Sequence, residues 1–134
     1  MTKNYKIFIS HSWSYSSDLT DLQNLLNYRG YFNVEFTEAS KDIPINSTNA
    51  TYIKARLTAK ISTSDVVLAL AGIYASLSEW MPWELDKAKS LNVPIIGIIP
   101  RGQERISQEV YSRSVVDLKW NTESIVEAIR TYTK

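Results

Sequence analysis

Asp65-Val66-Val67-Leu68-Ala69-Leu70 and Val93-Pro94-Ile95-Ile96-Gly97-Ile98-Ile99 decide the fold. Neither run alternates apolar with polar residues. A strand that is apolar on both sides needs cover on both faces, which is the position of a central strand in a parallel sheet. The segment between them, near 80–91, reads as a helix, so the unit is strand, helix, strand.

The same alternation extends in both directions. Tyr5-Lys6-Ile7-Phe8-Ile9 is β-branched and aromatic, and Ser10-His11-Ser12 reads as the turn that ends it. Leu19, Leu22, Leu25 and Leu26 recur at helical spacing behind a cap at Ser17 or Asp18, and Arg29-Gly30 stops the helix. Phe32 to Phe36 is a second strand, followed by a polar loop from Thr37 to Asn46. Tyr52, Ile53, Leu57 and Ile61 mark a helix near 48–62. Beyond Ile99 come a short helix around 104–112, a fifth strand at Val115-Val116-Asp117-Leu118, and a closing helix, begun by Trp120, that carries Ile125, Val126 and Ile129. Five β-α units predict an α/β, flavodoxin-like three-layer sandwich with a five-stranded parallel sheet in the order 2-1-3-4-5, as one domain over 1–134. In such sheets ligands bind beyond the carboxyl ends of the strands, where the strand order reverses. Those ends are Ser10 to Trp13, Thr37 to Ser47, and Ala71 to Glu84.

Composition removes several classes of function. The net charge is +1 with no basic block, so electrostatic capture of nucleic acid is not expected. The chain has no cysteine and one histidine, His11, which excludes disulfides, thiol nucleophiles and multi-histidine metal sites. Its 4 glycines form neither G-x-G-x-x-G nor a P-loop. No pair of aspartates closes the first strand, which argues against a phosphoacceptor receiver. No apolar run is long enough to span a bilayer, and the N-terminus is not a signal peptide. The expectation is a soluble cytoplasmic protein.

Ser76-Leu77-Ser78-Glu79-Trp80-Met81-Pro82-Trp83-Glu84 is the most informative stretch for chemistry. It follows a buried strand and opens a helix, with Pro82 in the first turn, where a missing N–H costs little. Trp80 and Glu84 are four apart and share a helix face. An aromatic plate beside a carboxylate suits a ligand with a flat ring and a developing positive charge, as in cleavage of an N-glycosidic bond to nicotinamide. The plainer reading is a glutamate favoured by the helix dipole and paired with Lys87, beside two core tryptophans. His11 can bond a ribose or phosphate, or serve only its turn. Asp42 can meet a ribose or cap a turn, and Trp13, Tyr15 and Tyr74 can stack a purine or simply pack.

Phe8-Ile9-Ser10-His11-Ser12 resembles the first motif of TIR domains, and Ser76 to Glu84, with Trp80 and Glu84 as Trp-x-x-x-Glu, is similar to the helix-opening segment of TIR domains that cleave NAD. The whole resembles the bacterial stand-alone TIR-like domains, including the signal-producing partner of Thoeris antiphage systems. The resemblance implies Glu84 as the catalytic residue, Trp80 against the substrate, Ser10, His11 and Ser12 as one wall with Trp13 on the same rim of the substrate site, and the loop around Asp42 as a lid. It implies NAD as substrate and no cofactor, with nicotinamide and linear, cyclic or conjugated ADP-ribose as products. It also implies homo-oligomers on activation through the loop at 37–47, and a downstream effector that responds to the signal. Two departures stand out: the loop reads Lys41-Asp42-Ile43-Pro44-Ile45 instead of Arg-Asp-x-x-Pro-Gly, and Val116-Asp117-Leu118-Lys119-Trp120 replaces the FGLS-like box. The alternative is a non-catalytic TIR module that scaffolds by homotypic contacts.

Overall fold

The computed structural model describes residues 4–11, 16–30, 32–38, 50–70, 80–99 and 108–133. In chain order the elements are β1 (Asn4–His11), α1 (Ser16–Asn27), β2 (Asn33–Glu38), α2 (Ala50–Ser62), β3 (Val66–Leu70), α3 (Trp80–Ser90), β4 (Ile95–Ile98), α4 (Gln108–Tyr111), β5 (Val116–Leu118) and α5 (Thr122–Tyr132). The five strands form one all-parallel sheet in the order β2-β1-β3-β4-β5, the flavodoxin-like arrangement. The chain moves one way from β1 to β2 and then crosses back to β3, so the order reverses beside β1.

Two boundaries differ from the sequence reading in a way that matters. Ser10 and His11 are not a turn: they extend β1, opposite Ala69 and Leu70 of β3. β2 likewise takes in Thr37 and Glu38, the first two residues of the expected loop. In both places pairing with a strand distant in sequence overrides the local turn preference. The helix around 104–112 is described from Gln108 to Tyr111. Trp120 does not begin the last helix; it precedes the cap and packs against the core.

Alternation in β3 divides the core. Val66, Leu68 and Leu70 join Leu22, Leu26, Ile125 and Ile129 of α1 and α5, while Val67 and Ala69 join Ile53, Leu57, Met81 and Leu85 of α2 and α3. Every residue of β3 and β4 is buried, as the unbroken apolar runs require. Each fully buried Leu, Ile or Val contributes about 1.5–3 kcal/mol relative to exposure.

Helix ends fix α3 and α5. Asn92 adopts φ 59°, and its N–H donates to the Lys89 carbonyl while that of Val93 donates to Ala88. This paired arrangement closes a helix through a left-handed residue, a conformation asparagine tolerates. At α5 the Asn121 side chain accepts from the Ser124 N–H at 3.0 Å. Asn121→Ala should therefore lower stability by about 1 kcal/mol, read as the urea midpoint with an unchanged m-value. Arg29–Glu123 joins α1 to α5 and Arg113–Asp86 ties the segment after α4 to α3, both solvent-facing pairs that orient more than they stabilise.

Candidate functional site

The buried side of α3 is set by spacing. Met81, Leu85 and Ala88 recur at i, i+4 and i+7, and all are buried. Glu84 falls inside that stripe, so the helix that buries its apolar neighbours carries the carboxylate down with them. Its exposure is 0%.

Period 2 in β1 supplies the partner. Phe8 faces α3, so Ser10, two residues on, faces the same way. Ser10 Oγ donates to Glu84 Oε1 at 2.7 Å, and both residues are wholly buried. The register explains the room for a carboxylate there. Phe8 lies opposite Val67, and Val67 opposite Ile95, whereas one step toward the carboxyl ends the row reads Ser10, Ala69, Gly97. Large side chains give way to small ones on the face that α3 covers.

The electrostatics are those of a carboxyl taken out of water. Glu84 Oε2 is buried without a hydrogen-bond partner among the described residues. Burial, the larger influence, pushes the Glu84 carboxyl up from 4.5 to about 8, and the Ser10 hydrogen bond pulls the other way. The pairing with Lys87 that the plainer reading offered does not form. The Lys87 ammonium lies 5.5 Å from the centre of the Trp83 ring, and Lys54 of α2 lies 5.9 Å from it. Free glutamate in water is ionised at pH 7; Glu84 in this setting holds its proton.

The structure thus brings Ser10 and Glu84 together across 74 residues. His11 and Trp80 are placed by their backbones alone, His11 opposite Leu70 at the end of β1 and Trp80 at the first position of α3, one turn before Glu84. Ser12, Trp13 and Asp42 lie outside the described residues, as do Tyr15, Tyr74 and the segment 71–79. The row formed by Ala69 and Gly97 was not among the expected site residues; its signal in the sequence was the loss of bulk at matching phases of β3 and β4. A cavity of about 380 Å³ lined by Lys89, Pro94, Arg113 and Tyr132 sits at the opposite ends of the strands, and one of about 330 Å³ lies between α5 and β5. Neither includes Ser10 or Glu84. Among the described residues no group of three or more His, Cys, Asp or Glu is placed to hold a metal ion, and no helix is long and apolar enough to cross a membrane.

Comparison with known proteins bears on the family and the fold. Residues 8–105 match the family profile of the Thoeris protein ThsB, TIR-like domain. No curated protein matches the chain in sequence. Among solved structures it is similar to a 2-deoxyribosyltransferase from Bacillus psychrosaccharolyticus, with a TM-score of 0.65 and 15% identity over 90% of this chain and 89% of that one. It is also similar to the CMP N-glycosidase BcmB of Clostridium botulinum, with a TM-score of 0.54 and 13% identity over 93% of this chain and 98% of that one. A third likeness is to a 3-dehydroquinate dehydratase-like protein from Bifidobacterium longum, with a TM-score of 0.55 and 10% identity over 96% and 94% of the two chains. At these identities the likeness is one of fold.

Proposed function

The chain belongs to the family of Thoeris ThsB TIR-like domains, a family of antiphage defence, and on that premise we propose that it cleaves NAD, with Glu84 as the catalytic carboxylate. One observation carries the reading: a glutamate fully buried at the point where the strand order reverses, bonded to the end of β1 and to no cation among the described residues. A module that only scaffolds has no need of a buried carboxyl, which costs stability at neutral pH. The fold is shared with a deoxyribosyltransferase and an N-glycosidase, so this framework is compatible with chemistry at a nucleoside; the assignment of Glu84 rests on its own geometry.

The chemistry follows from charge. The bond between the ribose anomeric carbon and the nicotinamide nitrogen breaks, and its electron pair leaves with the ring, which becomes neutral nicotinamide. Positive charge then spreads over the ribose carbon and ring oxygen. An ionised Glu84 in a low-dielectric site stabilises that charge without reorganising. Water or a hydroxyl of the same or another molecule adds to the carbon and releases a proton, giving linear, cyclic or conjugated ADP-ribose. Trp80, His11, Ser12, Trp13 and Asp42 are assigned to the substrate, Trp80 as the stacking plate. The product serves as a signal to a downstream effector, and the working form is a homo-oligomer.

Nicotinamide release from NAD tests the reading, measured per molecule of protein across a dilution series. Turnover is expected at high protein concentration and to fall steeply on dilution, because the pocket is completed across subunits. Constant turnover per molecule throughout the series would refute the assembly requirement. No release at any concentration would favour the scaffold.

A further inference from the structure

We propose that Ser10 is a positioning residue for Glu84, its hydroxyl holding Oε1 so that Oε2 is the oxygen presented to the substrate ribose. The proposal rests on the reading of Glu84 as the catalytic carboxylate. Its ground is the asymmetry of the two oxygens. One accepts a hydrogen bond at 2.7 Å from a fully buried hydroxyl, and the other is equally buried with no partner among the described residues. The terminal torsion of a glutamate is broad and roughly two-fold, so without a fixed donor the two oxygens interchange. Ser10 is a rigid donor: it lies within β1, opposite Ala69 of β3, in a strand flanked on both sides by partners. A polar atom left unmatched in a protein interior is costly unless a ligand completes it.

Ser10 has a second effect through the same bond. A donor to a carboxylate favours its charged form, and among the described residues no other group takes that part. β3 and β4 present no charged residue. Lys54 of α2 and Lys87 of α3 lie against the Trp83 ring. Arg113, beyond α4, engages Asp86 on the outer side of α3. On β1, Lys6 is exposed at the far end, where its N–H donates to Asp65. His11 and Glu109 are placed by backbone alone. Ser10 is thus the described group that opposes the effect of burial on Glu84.

The test compares wild type, Ser10→Ala and Ser10→Cys, which keeps the shape with a weaker donor. Ser10→Ala should lower kcat about 10- to 100-fold, the worth of a hydrogen bond to a charged group, with KM little changed. Its acid limb should move to higher pH, with Ser10→Cys between the two. Titration of Glu84 by carbon-13 NMR, without substrate, should move in the same direction. An unchanged Glu84 titration in Ser10→Ala overturns the proposal whatever the activity. An unchanged kcat and pH profile in Ser10→Ala, with wild type active, overturns it while leaving NAD cleavage intact. Absence of turnover in wild type strikes instead at the catalytic reading, and the NMR titration still judges the coupling of the two residues. Should Ser10→Ala fail to fold, Ser10→Cys carries the same comparison.

Discussion

Glu84→Gln is expected to lower nicotinamide release about 100- to 1,000-fold, the usual cost of removing one preorganised electrostatic partner of a transition state. Glutamine has nearly the shape of glutamate and retains an oxygen to accept from Ser10 Oγ, so the geometry at 2.7 Å can persist while the charge is lost. Asp86→Asn is the control. It lies on the exposed side of the same helix, paired with Arg113, and should change turnover little. The same assignment fixes the pH dependence. In the free protein the Glu84 carboxyl is protonated below about 8, and kcat/KM reports the free enzyme. The value of kcat/KM should therefore climb with pH toward 8 and level off above it. The acid limb of kcat should lie lower, because positive charge on the bound substrate favours the ionised carboxylate. Equal turnover in wild type and Glu84→Gln would reject the assignment.

The second large effect is on stability, and its sign follows from proton binding. Unfolded, Glu84 ionises near 4.5; folded, near 8. Between those values the folded chain holds a proton that the unfolded chain has released, so raising the pH favours unfolding. The folded state's advantage is complete below 4.5 and is lost as the pH rises through 8. Each pH unit in that window removes about 1.4 kcal/mol, or about 4 kcal/mol between pH 5 and pH 8. Glu84→Gln cannot ionise and should lack this component. The difference in unfolding free energy between variant and wild type should thus shift in favour of the variant as the pH rises, with other titrating groups cancelling. Urea unfolding of both proteins at several pH values measures it. A difference that stays constant from pH 5 to pH 8 would contradict a buried, proton-holding Glu84. Such a residue is destabilising at the pH where it works, a trade common at functional sites.

The architecture was legible because its strongest signal is local. Two apolar runs without alternation, at 66–70 and 95–98, declare double burial, and β3 and β4 are buried at every residue. What was not legible depends on pairing between distant segments. Ser10 and His11 look like a turn in isolation, and only the partner residues Ala69 and Leu70 make them strand. For the candidate site, the helix-opening position of Glu84 and its place near the end of β1 could be read from the motifs. Its depth could not. A glutamate near a helix start is ordinarily solvated and favoured by the dipole. What draws this one inward is the stripe of Met81, Leu85 and Ala88 together with a small-residue row assembled from three separate strands. The competing Lys87 pair was plausible on spacing alone, but Lys87 lies over Trp83, its i−4 neighbour.

The most direct test of NAD cleavage uses NAD labelled in the nicotinamide ring, incubated with concentrated wild-type protein and with Glu84→Gln, the products being separated by mass spectrometry. Release of labelled nicotinamide by the wild type, matched by an equal amount of an ADP-ribose product and nearly absent with the variant, is the predicted result. Intact labelled NAD in both samples, at every protein concentration tried, would contradict it.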